Sequence, residues 1–148
     1  MHPSIDLKQL VEAVGDAIVV CDAGGAIIGW NPAAVRMFGF SEAEALGQSL
    51  DLIIPERQRQ RHWDGYHKTM DTGHTRYGND VLRVPALHKD GRSLSIAFTV
   101  AMLKSPQDKV TAIVAIVRDE TARWTEERNL RARMAKLEET AKHQDQPM

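Results

Sequence analysis

The 148-residue sequence has a single cysteine, Cys21. One thiol excludes an internal disulfide and a thiolate zinc cluster, and it agrees with a reducing compartment. No apolar run approaches the roughly 18 residues of a membrane span. The start, Met1-His2-Pro3-Ser4-Ile5-Asp6, has neither the basic region nor the apolar core of a signal peptide. The chain therefore reads as cytoplasmic and without a membrane partner. A net charge of −1 provides no field for nucleic acid. Missing too are a nucleophile paired with a base, a phosphate-cradling loop and paired carboxylates in a plausible cleft, so the reading is not that of an enzyme.

What is present fits one module with a sizeable core, since 43% of residues are apolar and 26% charged. The stretch from Ala17 to Phe40 organises the rest. Ala17 to Cys21 and Ala26 to Trp30 are strand-length apolar runs, and Gly24-Gly25 between them predicts a two-residue hairpin. Asn31 is placed to cap a following helix, with Pro32 at its first position, Ala33, Ala34, Met37 and Phe38 on its apolar face and Gly39 as its stop. Upstream, Ser4 or Asp6 caps a first helix carrying Leu7, Leu10, Val11 and Val14, ended by Gly15. Downstream, Ser41 and Glu44 form a capping box for a short helix ending near Gly47.

From Pro55 to Thr72 the spacing predicts a helix, closed by Gly73, on which His62, Tyr66 and Met70 stack on one inward face with Trp63 beside them. A strand follows through Val81, Leu82, Val84 and Ala86 to a turn at Asp90-Gly91. Arg92 to Leu103 alternates Leu94, Ile96, Phe98, Val100 and Met102 with small or weakly polar residues, so one face is apolar. Val110 to Val117 is apolar nearly throughout and reads as an interior strand. Beyond Asp119 a charged helix carries Leu130, Met134, Leu137 and Ala141 at spacings of 4, 3 and 4. That is a heptad seam of about two repeats. A helix folded against the domain is the other reading of the same stripe. His143 to Met148 reads as a frayed tail.

The hairpin, the W-N-P-A at Trp30 to Ala33, the G-F-S-E-A-E-A-L-G-Q-S from Gly39 to Ser49, Leu52-Ile53-Ile54-Pro55, His88-Lys89-Asp90-Gly91 and Val117-Arg118-Asp119-Glu120-Thr121 together resemble a PAS domain over roughly residues 12 to 125. The resemblance implies an α+β fold: a five-stranded antiparallel sheet with short helices on one face, a flanking N-terminal helix and a C-terminal signalling helix. The implied division is 1–15 for the flanking helix, 16–120 for the PAS sensor domain, 121–142 for the amphipathic or coiled-coil helix and 143–148 for the tail. It also implies a homodimer joined along Leu130, Met134 and Leu137, with Leu7, Leu10 and Val14 added or covering a sheet face. A downstream signalling protein is implied as partner, because the sequence shows no kinase, cyclase or DNA-binding segment. The chain thus acts in trans or is a piece of a longer receptor.

From His62 to Val100 the sequence resembles, without a gap, the heme-binding PAS domains of oxygen-sensing kinases and phosphodiesterases. That branch places its iron-ligating histidine at the position of His62, after a similar R-x-R, here Arg59-Gln60-Arg61. The resemblance implies His62 as metal ligand, Lys68 and Arg76 near the heme propionates with His74 as a further candidate, and Tyr66, Met70, Leu82, Phe98, Val100 and Ile116 around the cofactor. Two departures bear on the gas. Leu82 and Asp80 stand where the branch has a distal arginine or methionine, with Arg83 one position away. Loss of a distal donor weakens oxygen more than carbon monoxide.

His67, His74 and His88 lack metal-site spacing and read as solvated surface residues. The light-sensing flavin branch needs a cysteine on the helix before its cavity strand, whereas Cys21 lies on the first strand and reads as core. A redox flavin remains as an alternative cofactor, without the tryptophan usual in the middle strand. The other alternative is a ligand-free module for dimerisation or protein interaction.

Overall fold

In the computed structural model, which describes residues 4–74 and 80–144, the buried Asn31 fastens three segments together. Its Oδ1 accepts hydrogen bonds from the Ile18 amide at 2.8 Å and the Ala34 amide at 3.0 Å. Its amide nitrogen donates to the carbonyls of Val11 and Asp16. Asn31 thus caps helix α2, Pro32–Phe38, while holding helix α1, Leu7–Ala13, against strand β1, Ala17–Asp22. Gly39 closes α2 in the left-handed region at φ 82°, as expected for a stop glycine. Asp6 caps α1, and the Ser41–Glu44 capping box opens α3, Glu42–Ala45.

The hairpin differs from its sequence reading. Strand β2 is Ile27–Trp30, and the connection runs over four residues because the Asp22 carboxylate accepts from the amides of Gly24 and Ala26. Only Gly25 takes positive φ, at 89°. A side chain there would also strike the Trp63 ring, since an added Cβ would lie 2.3 Å from it.

After a 3₁₀ turn at Leu50–Ile53 comes α4, Glu56–Thr72, closed by Gly73. Strands β3, Leu82–Leu87, β4, Ser93–Lys104, and β5, Val110–Asp119, complete an antiparallel sheet in the order β2-β1-β5-β4-β3. The expected five-stranded architecture is present, with β5 as the central strand. Cross-strand register sorts the side chains into two faces. Ala17, Val117, Phe98 and Leu82 lie in one row, and Val19, Ala115 and Val100 in the next. These rows face the helices, where the core gathers around Phe38, Ile53, Tyr66, Leu94 and Ile96.

Helix α5, Thr121–Gln144, leaves β5 at the edge of this core. The Thr121 hydroxyl accepts from the Ser95 amide at 3.0 Å, and the Glu120 amide donates to the Ser95 carbonyl at 2.8 Å. Its start is therefore fixed to β4. Residues 122–143 are all exposed, so α5 extends from the domain and does not fold back on it.

Candidate functional site

His62 lies on the inward side of α4, half-buried, and its Nδ1 is enclosed without a hydrogen-bond partner. An orphaned polar atom in a protein interior costs free energy and calls for an explanation. Rings flank it: Trp63 sits edge-on at a centroid distance of 4.6 Å and Tyr66 lies tilted at 5.8 Å. Burial lowers the His62 pKa, against a weaker opposing pull from Asp51. The imidazole is thereby kept neutral, which is the form that binds a metal.

The neighbours of His62 are held by bonds that periodicity alone does not reveal. Trp63 donates through Nε1 to the Asp51 carboxylate at 2.7 Å. Arg59 donates to the carbonyls of Ile54 and Asp51, so the R-x-R arginine braces the 3₁₀ turn. Tyr66 is buried and its hydroxyl donates to the Asp22 carbonyl, tying the middle of α4 to the end of β1. Burial raises the Tyr66 pKa. The same enclosure pushes the Cys21 thiol up to about 12, which leaves it an unreactive core group.

Of the residues expected around a cofactor, Met70, Leu82, Phe98 and Val100 are half-buried. Tyr66, Met70, Phe98 and Val100 belong to or pack against one hydrophobic core, and Leu82 pairs with Phe98 across β3 and β4. Ile116 does not belong to that core. Ile116 pairs with Thr99, one step out of phase with Phe98 and Val100, and so lies on the opposite face. Lys68 is also outside the core: it is exposed, about 200° around the helix from Tyr66. Arg76 falls outside the described residues. Arg83 pairs with Ala97 and is exposed, and Asp80 is exposed, so neither supplies an inward donor beside Leu82.

The surface histidines divide. His67 and His74 are exposed. His88, expected to be solvated, is mostly covered: its side chain is 15% exposed and its ring occupies the space where a Cβ on Gly39 would lie, 2.5 Å from it. Its Nδ1 accepts from the Asp90 amide, and the Lys89 amide donates to the Phe38 carbonyl. The β3–β4 turn is thereby docked on the end of α2. Among the described residues no three His, Cys, Asp or Glu side chains converge on a metal-sized space. Among the described residues, grooves of about 320 Å³ along α5 and about 250 Å³ between α1, β2 and α3 lie away from His62.

The residues present fit a heme in one respect: a neutral imidazole with an unsatisfied buried nitrogen. No helix among the described residues is long and apolar enough to cross a membrane.

A family model described as PAS fold matches residues 5–119. Sensor protein FixL of Bradyrhizobium diazoefficiens is 29% identical over 138 residues, covering 93% of this chain and 26% of that protein. Oxygen sensor protein DosP of Escherichia coli is 23% identical over 130 residues, or 88% of this chain and 16% of that protein. The chain spans about a quarter or less of the length of these curated relatives. Among solved structures, the PAS domain of a protein from Colwellia psychrerythraea superposes with a TM-score of 0.68 at 26% identity, covering 78% of this chain and 98% of that one.

Proposed function

The chain belongs to the PAS family, and from that premise we propose that it is a signalling sensor which holds heme between α4 and the inner sheet face and responds to a diatomic gas. The observation that carries this reading is the enclosed, unpartnered Nδ1 of His62 on the inward face of α4. A heme bound there would supply an iron able to take up a diatomic gas. His62 is the residue to hold it, with Met70, Leu82, Phe98 and Val100 as apolar walls. Tyr66 keeps α4 against β1 through its bond to Asp22. Leu82 offers no hydrogen bond, so the pocket favours carbon monoxide relative to oxygen.

Any displacement of His62 is a displacement of α4, which is tied to β1 by Tyr66 and to the 3₁₀ turn by Trp63. Strain passes across β1 and β5 to Asp119 and Thr121, where α5 begins. The output is the disposition of α5, which pairs with a second copy along Leu130, Met134 and Leu137 and acts on a downstream signalling protein. The reading places the protein in the cytoplasm and gives the chain no catalytic role of its own.

The test is reconstitution with heme followed by absorption spectroscopy. Wild-type protein should gain a strong band at about 400 nm, characteristic of heme. The His62→Ala protein should lose the heme or show the spectrum of a site without a proximal imidazole. Absence of binding by the wild type overturns the heme reading and leaves a redox flavin or a ligand-free interaction module. Binding with an unchanged His62→Ala spectrum keeps the cofactor but transfers the ligand role to His67 or His74.

A further inference from the structure

The exposed face of α5 carries more than an apolar stripe. Setting Leu130 and Leu137 at heptad position d, and Met134 and Ala141 at a, places Glu126 and Arg133 at g and Arg131 and Glu138 at e. In a parallel, in-register pair, each g residue meets the e residue five positions later on the partner helix. Glu126 then faces Arg131 of the second copy, and Arg133 faces Glu138. All four charged flanking residues are satisfied, and each contact occurs twice. An antiparallel pair that overlays the same four apolar layers brings Arg131 against Glu138, but sets Arg133 against Thr140 and leaves Glu126 without a partner.

The same phase assigns seam positions to an ion-pair chain seen in the structure. Glu120, Arg123 and Glu127 fall at a, d and a, and Arg123 pairs with Glu120 at 3.8 Å and with Glu127 at 3.3 Å. In a parallel pair, Arg123 meets Arg123 and Glu127 meets Glu127 across the axis. Like charges there oppose closure. Leu130, Met134 and Leu137, by contrast, are 50%, 60% and 69% exposed and have nothing against them.

We propose that α5 docks a second copy of this chain in parallel and in register, pairing from Leu130 onward, with Glu126–Arg131 and Arg133–Glu138 contacts fixing the register and the Glu120–Arg123–Glu127 chain keeping the domain-proximal turns apart. This rests on the reading of α5 as a dimer seam and is independent of the cofactor.

The experiment measures dimer dissociation of the full chain by sedimentation. The double variant Glu126→Arg/Arg133→Glu makes both contacts repulsive in the parallel pair, does not change net charge, and is neutral for the antiparallel pair. It should weaken the dimer about a hundredfold. Adding Arg131→Glu and Glu138→Arg should restore it. Ala141→Cys should form a disulfide between copies under mild oxidation, since the native thiol at Cys21 is buried.

A wild-type chain that stays monomeric overturns both this proposal and the dimer reading. A wild-type dimer that is indifferent to the double variant, or that does not crosslink through position 141, overturns the parallel register alone. Circular dichroism of each variant separates loss of pairing from loss of helix.

Discussion

Asn31 concentrates more stability in one side chain than its size suggests. Its carboxamide caps α2 and bridges two carbonyls and one strand amide, all in a buried setting. The replacement Asn31→Ala removes a cap and leaves several buried groups unpaired, at a cost of about 3 kcal/mol. Thermal unfolding should show a Tm lower by roughly 10 °C for a domain of this size. A Tm within about 2 °C of wild type would mean that solvent replaces those bonds.

The pH response of His62 has a definite sign. Its pKa in the folded protein lies below its ordinary value of 6.5 because of burial. Above that value the ring is neutral in both states, and its stabilising contribution is fully present. As pH falls below it, the unfolded chain takes up a proton that the folded chain resists, so stability is lost. Denaturant titrations of heme-free protein at about pH 7.5 and about pH 5.5 should therefore show a larger acid loss for wild type than for His62→Gln. Equal losses would show that His62 is not buried in solution.

Among the elements, β4 and β5 show what sequence pattern resolves and what it does not. In β4 the apolar residues alternate with Ser95, Ala97, Thr99 and Ala101, and the face predicted to be inward is the inward one. In β5 both faces are apolar, so alternation carries no phase. Only the register with Thr99 shows Ile116 pointing outward. Caps and stops were readable because their chemistry is local, as with Asn31, Ser41 and Gly39. The bonds that shape the site were not, because Trp63 to Asp51 and Tyr66 to Asp22 join segments far apart in sequence. Cover over His88 was likewise unreadable, since it depends on how the β3–β4 turn meets Gly39. The junction of β4 with α5 invites a direct test. Replacing Thr121 by Val removes the acceptor for the Ser95 amide at a cost of about 1 kcal/mol. Hydrogen exchange should quicken at Ser95 and the first turn of α5 while the amides of β1 and β5 keep their protection. Unchanged exchange at Ser95 would show that the bond does not hold the helix.

At the scale of the whole molecule, stability and assembly reside in different parts. The buried core is drawn from the sheet, α2, α3, the 3₁₀ turn and α4, and none of its residues comes from α5. An isolated helix of this kind is marginal in water unless something packs on its apolar stripe. Its stripe contains Leu130, Met134 and Leu137, each at least half exposed. Removing everything after Thr121 should therefore leave the domain folded, with a Tm within about 3 °C of the full chain at low protein concentration, where the dimer contributes little. The dimer should be weakened severely by the same truncation. At high concentration the full chain should gain in Tm and the truncated chain should not, because only the former has a folded state stabilised by mass action. A truncated protein that sediments as the full chain does would place the dimer contact on the domain itself, with the outward sheet face around Ile18, Val114 and Ile116 as the surface to mutate next.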